Sequence, residues 1–215
     1  MIAVIFSEIA GWLKYGSRAT ISGMVILMGF AGSLTFLRPE YCLEILTAGI
    51  LWVAIKAGKE NWSEFWTRDW VKRTDLPLRT VILGKVLATL VVASIHLLFV
   101  LPILIIMLIL WGFTWWQLSN VLLTMLISGL IAAEFGLCGS CLGKGEETFL
   151  IDIPVTVWMV ATALNPSLRQ LNPFYCVWNV LVSNVQWFTA AHFINLGIVA
   201  LLVLTVEFLF QREAH

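Results

Sequence analysis

The stretch KENWSEFWTRDWVKRTDLPLRTVILGK, residues 59–85, gathers charge and tryptophan in a chain that is otherwise oily. Of its 215 residues, 60% are hydrophobic and 12% charged, where a soluble domain carries about 25% charge. Mean hydropathy is +0.93. A chain of this kind would expose too much apolar surface to remain in water, and an integral membrane protein is the class that fits. The formal net charge is zero, which leaves no electrostatic argument for a nucleic-acid partner.

Around that charged stretch lie six apolar segments, near 20–37, 41–57, 81–111, 117–143, 149–165 and 188–210. Each approaches or exceeds the ~17–25 residues that cross a bilayer. The fold expected is all-α with six transmembrane helices. Spans 1 and 2 fill 20–57, spans 3 and 4 fill 81–143, and 166–187 is an outer segment between spans 5 and 6. The third segment is longer than a bilayer needs, and Pro102 should kink it. Residues 1–18 are not a convincing signal peptide, because Glu8 interrupts the apolar run and no basic region precedes it. Ile2, Ile5, Ile9, Trp12 and Leu13 recur at roughly helical spacing and suggest an amphipathic interfacial helix.

Basic residues set the orientation. With the N-terminus cytoplasmic, Lys14, Arg18, Lys56, Lys59, Arg68, Lys72, Arg73, Arg79, Lys85, Lys144 and Arg212 fall inside, and only Arg38 and Arg169 outside. Both termini and the charged stretch are then cytoplasmic, the chain lying in the cell's inner membrane. Within the stretch, Trp62, Phe65, Trp66, Asp69, Trp70 and Arg73 fall at helical spacings. An aromatic face beside a charged one suits a helix lying along the inner surface, over 58–76. A basic loop that merely enforces topology is the plainer alternative, and it leaves the rings unexplained.

The run from Gly49 to Leu90 resembles the ABC-2 type permeases, the membrane halves of ATP-binding-cassette exporters. Pro77, Gly84 and Lys85 fill the turn and the Gly-Lys pair that open the family's third span. LNPFYCVWNVL, residues 171–181, is similar to its outer Asn-Pro segment. Short length and GILWVA also resemble the haem-exporter permease of cytochrome c maturation. The resemblance implies that 58–76 is a coupling helix on which a separate ATPase subunit sits. Glu64, Arg68, Asp69, Lys72, Arg73 and Asp75 would make that contact. It also implies a second permease subunit, with ATP and magnesium held by the partner ATPase and no cofactor in this chain. The family's Glu-x-x-x-Gly-Thr run is replaced here by WTRDWVKRTDLP.

Other motifs carry less. CGSCLGKGEE, residues 138–147, lacks the glycine spacing and the Ser/Thr of a phosphate loop. Cys138 and Cys141 match a redox or metal spacing, but Gly136, Gly139 and Gly143 around them suggest close helix packing. Cys42 and Cys176 fall near the outer face, either as two buried thiols or as a disulfide. Lys85, Asp152, Glu44 and Glu207 lie close enough to a boundary to snorkel to water. His96 and Glu134 lie deeper, at similar depth on adjacent segments. They are candidates for the substrate pathway or for a hydrogen bond between helices. An intramembrane enzyme built on His96 and Glu134 or Asp152, or a non-catalytic membrane scaffold, are the alternative functions. The first lacks any tight catalytic spacing.

Overall fold

The structure is a computed structural model that describes residues 2–11, 23, 25, 28, 29, 31, 32, 38–63, 76–142, 148–182 and 190–213. Over these residues the regular structure is helical. The elements are α1 (Ile2–Gly11), α2 (Pro39–Ser63), α3 (Leu78–Trp111), α4 (Trp115–Leu142) and α5 (Thr148–Leu164). A 3-10 turn (Arg169–Leu171), α6 (Pro173–Val182) and α7 (Ala190–Glu213) follow. Among the described residues, two helical stretches are long and apolar enough to cross a membrane, Arg79–Trp111 and Trp115–Cys138. Pro102 lies inside α3 without ending it.

One expected boundary moves, and one expected helix face differs. Residues 58–63 are the end of α2, not the start of a separate surface helix. The sequence explains this, because Lys59 and Glu60 are good helix formers and no proline intervenes before Pro77. The rest of the expected coupling helix, including Glu64, Arg68, Asp69, Lys72, Arg73 and Asp75, lies outside the described residues. On α1 the packed side chain is Val4, which joins Val81, Ile82, Leu137, Cys138 and Val206. Ile2, expected on the apolar stripe, is exposed together with Phe6.

α4 is the central helix, touching α2, α3, α5, α6 and α7. Its contact with α2 is the closest. A Cβ added to Gly136 would stand 2.7 Å from the Ile55 carbonyl oxygen, and one added to Gly129 would stand 3.3 Å from Ile50 Cγ2. Ala132 and Ala133, between the two glycines, are fully buried. Small residues let the two backbones approach, which is how apolar helices gain contact when no hydrophobic contrast drives them together.

The pairings also fix helix direction. Leu43 and Leu118 line one small void, Gly129 meets Ile50 and Ala54, and Gly136 meets Ile55, so α2 and α4 run parallel. Leu104 and Met107 share that void while Val81 and Ile82 pack with Leu137, so α3 runs opposite. His192 meets Thr124 and Leu202 meets Cys138, so α7 follows α4. The Pro77 end therefore collects α1, the start of α3 and the ends of α4 and α7. There Arg79 and Glu207 approach to 3.8 Å.

The opposite end is closed by local chemistry. Gly112 ends α3 in the left-handed region, φ 70°, with its N–H on the Leu108 carbonyl. Thr114 and Gln117 then cap α4 reciprocally: Gln117 N–H donates to Thr114 Oγ1 at 3.3 Å, and Thr114 N–H donates to Gln117 Oε1 at 2.7 Å. Gln117 Nε2 donates to the Leu181 carbonyl and so ties α6 to this turn.

Gly136→Ala should lower stability by about 1–3 kcal/mol, because the added methyl meets rigid backbone. Gly129→Ala meets only a side-chain methyl and should cost less. Thermal unfolding of the detergent-solubilised protein gives the order, and equal shifts would contradict the close approach at Gly136.

Candidate functional site

Twelve polar residues of the described set are inside. Thr47, Lys85, Thr89, His96, Asn120, Thr124, Ser128, Glu134, Thr162, Asn172, His192 and Asn195 are all buried. Leu98, Ile109, Val157, Leu164, Phe193, Leu201 and Phe208 are exposed on α3, α5 and α7. On α4, Asn120, Thr124, Ser128, Glu134 and Cys138 return to one face at helical spacing. That face is a polar seam along the axis of the bundle.

Its upper part is bonded. Thr124 Oγ donates to the Asn120 carbonyl at 2.8 Å and stands 2.9 Å from His192 Nε2. With the hydroxyl proton committed to the carbonyl, the ring N–H at Nε2 is the donor to Thr124. The Cys176 thiol also reaches Thr124 from α6. Cys42 and Cys176 are both buried in the same apolar cluster and are not joined as a disulfide.

Asn172 holds the neighbouring corner. Its Oδ1 accepts from the N–H groups of Phe174 and Tyr175 at 3.1 and 3.3 Å, capping α6 just before Pro173. Its Nδ2 donates to the Met159 carbonyl and to Thr162 Oγ1, both at 3.2 Å, clasping α5. The Asn-Pro pair expected in an outer segment is thus a two-sided joint between helices.

Glu134 is different. It is 0% exposed, and neither carboxyl oxygen accepts or donates a hydrogen bond. The direct bond with His96 that equal depth allowed is not made. His96 Nδ1 instead lies 2.7 Å from the Val92 carbonyl of its own helix, and its ring stands 6.3 Å from that of Phe99. Depth alone does not fix helix face, and Nδ1 has a carbonyl within reach four residues back. Lys85, expected to reach water, is buried at 3% exposure, whereas Glu44 is exposed as expected. The side chains of Cys141 and Asp152 lie outside the described set.

Asn120, Thr124, Ser128, His192 and Asn195 are not among the residues expected at this site from the sequence. Three of them, Asn120, Thr124 and Ser128, repeat every four residues inside an apolar segment, and that was a readable signal. Asn195 Oδ1 and Trp158 Nε1 also lack hydrogen-bond partners, so α4, α5 and α7 each bring an unsatisfied polar atom into the interior. Among the described residues no group of three His, Cys, Asp or Glu side chains could hold a metal ion.

An uncompensated buried carboxyl opposes folding, because removing it from water costs free energy that no bond returns. Glu134→Leu should therefore raise thermal stability, by about 1–3 kcal/mol, while Thr124→Val should lower it by a similar amount by stranding the His192 N–H. A lower melting temperature for Glu134→Leu would show that the carboxyl has a stabilising partner.

In comparisons with known proteins, no family model, no curated protein and no solved structure matches the chain.

Proposed function

We propose that the chain is a multi-pass membrane subunit, and specifically the permease half of an ATP-binding-cassette exporter. The observation that carries the membrane reading is the inverted partition of side chains. Glu134, His96, Asn120 and His192 are buried, while leucine, isoleucine and phenylalanine are exposed on α3 and α7, and valine and leucine on α5. That arrangement is expensive in water and favourable in lipid, where apolar side chains meet acyl chains and polar ones turn inward.

Six spans crossing in alternate directions agree with the parallel course of α2, α4 and α7 and the reverse course of α3. The Pro77 end would face the cytoplasm, since most of the basic residues fall there. The sequence from Glu64 to Asp75 joins the end of α2 to the start of α3, and α1 packs on that start of α3 through Val4, Val81 and Ile82. A charged, aromatic element held there suits docking of a soluble ATPase, which would bring ATP and magnesium. A second copy or a related chain would complete the permease pair. The cargo would be hydrophobic or amphiphilic, a lipid, drug or haem-like molecule, moving past the polar seam that Glu134 and Thr124 mark on α4. His96, buried on α3, is the other candidate for that pathway.

Reversing charge at Arg68, Asp69, Lys72 and Arg73 together should abolish co-purification with the ATPase and stop transport, while membrane insertion stays normal. The isolated chain should not hydrolyse ATP. Unchanged co-purification by the quadruple variant would reduce the segment to a topology signal, and hydrolysis by the isolated chain would end the permease reading.

A further inference from the structure

A cavity of about 570 Å³ opens at the Gly112 end, between the start of α2 and the corner formed by α5, the 3-10 turn and α6. That volume is within the ~300–1,000 Å³ of small-molecule sites. Its walls combine Glu40 and Glu44 of α2, Arg169 of the 3-10 turn, and the rings of Phe174, Tyr175 and Trp178 of α6. Asn172 lies at its back with its side chain committed to the clasp described above.

The charges are arranged in a specific way. Glu40 is already paired: Arg38 Nη1 donates to its Oε1 at 3.2 Å. The backbone N–H of Glu40 and then the Arg38 guanidinium hold its carboxyl below the usual carboxylate range. Arg169 lies over the Tyr175 ring at 5.5 Å and makes no salt bridge among the described residues. Glu44 likewise makes none. One cavity thus presents a carboxylate and a guanidinium that do not neutralise each other, with aromatic faces beside them. Two opposite charges sharing a concave wall would ordinarily close on one another unless the geometry keeps them apart. Here α2 and the 3-10 turn are separate elements, the first packed on α4 and α6 and the second on α5 and α6.

We infer that this cavity is a binding site for a zwitterion carrying an ammonium and a phosphate or carboxylate group. The ammonium meets Glu44 and the ring faces of α6, which attract cations. The anionic group meets Arg169, whose planar fork suits phosphate and carboxylate oxygens. Arg169 has one face on Tyr175 and retains N–H groups for a ligand. The same chemistry occurs in the headgroup of a zwitterionic phospholipid and in a free solute such as phosphocholine. The site requires neither an ATPase nor a transport cycle, so binding is measurable on the isolated chain and is independent of the exporter proposal.

Equilibrium dialysis of phosphocholine against the full chain in a neutral maltoside detergent tests it. Saturable binding with a Kd of roughly 1 mM or tighter is expected. Glu44→Gln and Arg169→Gln should each weaken it about tenfold, the loss of one charge-assisted contact. Glu207→Gln, at the far end, should leave it unchanged. Glu44 and Arg169 are exposed, so these variants keep the fold, and an unaltered melting temperature verifies this. Repeating the titration in nanodiscs separates the sources. If phosphatidylcholine discs abolish phosphocholine binding and phosphatidylglycerol discs do not, the site takes a lipid headgroup. If binding persists in both, it takes a free solute. Absence of saturable binding in detergent, or binding insensitive to both charge variants, overturns the inference.

Discussion

The approach of α4 to α2 at Gly129 and Gly136 is the constraint from which the rest of the arrangement follows. At Gly136 the two backbones are so near that a methyl would collide with the Ile55 carbonyl. Once α2 and α4 lie parallel at that spacing, one side of α4 is spent. Its polar face, from Asn120 to Cys138, must then be covered by other helices. α7 covers it with His192 and Leu202, α6 reaches it with Cys176, and α5 brings Trp158 against Phe135 at 5.9 Å. The interior is polar because the helix at its centre is polar on the side left over from close packing.

The short irregular segments serve that packing. Gly112 permits the reversal that brings α4 back along α3, and the Thr114–Gln117 box sets the first turn of α4. Gln117 and Asn172 each bond within a cap and across to another helix. In an apolar surrounding such side chains have few competitors, and a cap that also crosses to a neighbour orients two elements at once.

Much of the helical layout was readable. The apolar runs that became α3, α4 and α5 differ from the expected segments by a few residues, because long uninterrupted hydrophobic sequence leaves little choice. Gly136 was correctly read as a packing glycine. The polar interior was only partly legible. Glu134 and His96 stood out as isolated ionisable residues, but their relation depended on helix rotation, and a count of residues to the turn gives depth only. Asn120, Thr124 and Ser128 carry no charge, so a search for isolated ionisable residues passes over them, although their spacing of four marks one helix face. The cavity at the Gly112 end was not legible at all. It joins residues 40 and 44 to residues 169–178, and no local pattern announces a pairing across that separation. Residues 58–63 continue α2 instead of opening a new helix, because helix continuation depends on the absence of a breaker, while charge marks only what a residue prefers to face.

Asn172 has a mechanical consequence. Because one amide holds the last turn of α5 with its nitrogen and the first turn of α6 with its oxygen, those two helices form a stiff elbow without a free joint between them. A tilt of α5 would carry α6 with it, and with α6 the aromatic wall of Phe174, Tyr175 and Trp178, so the shape of the cavity is tied to the angle of α5.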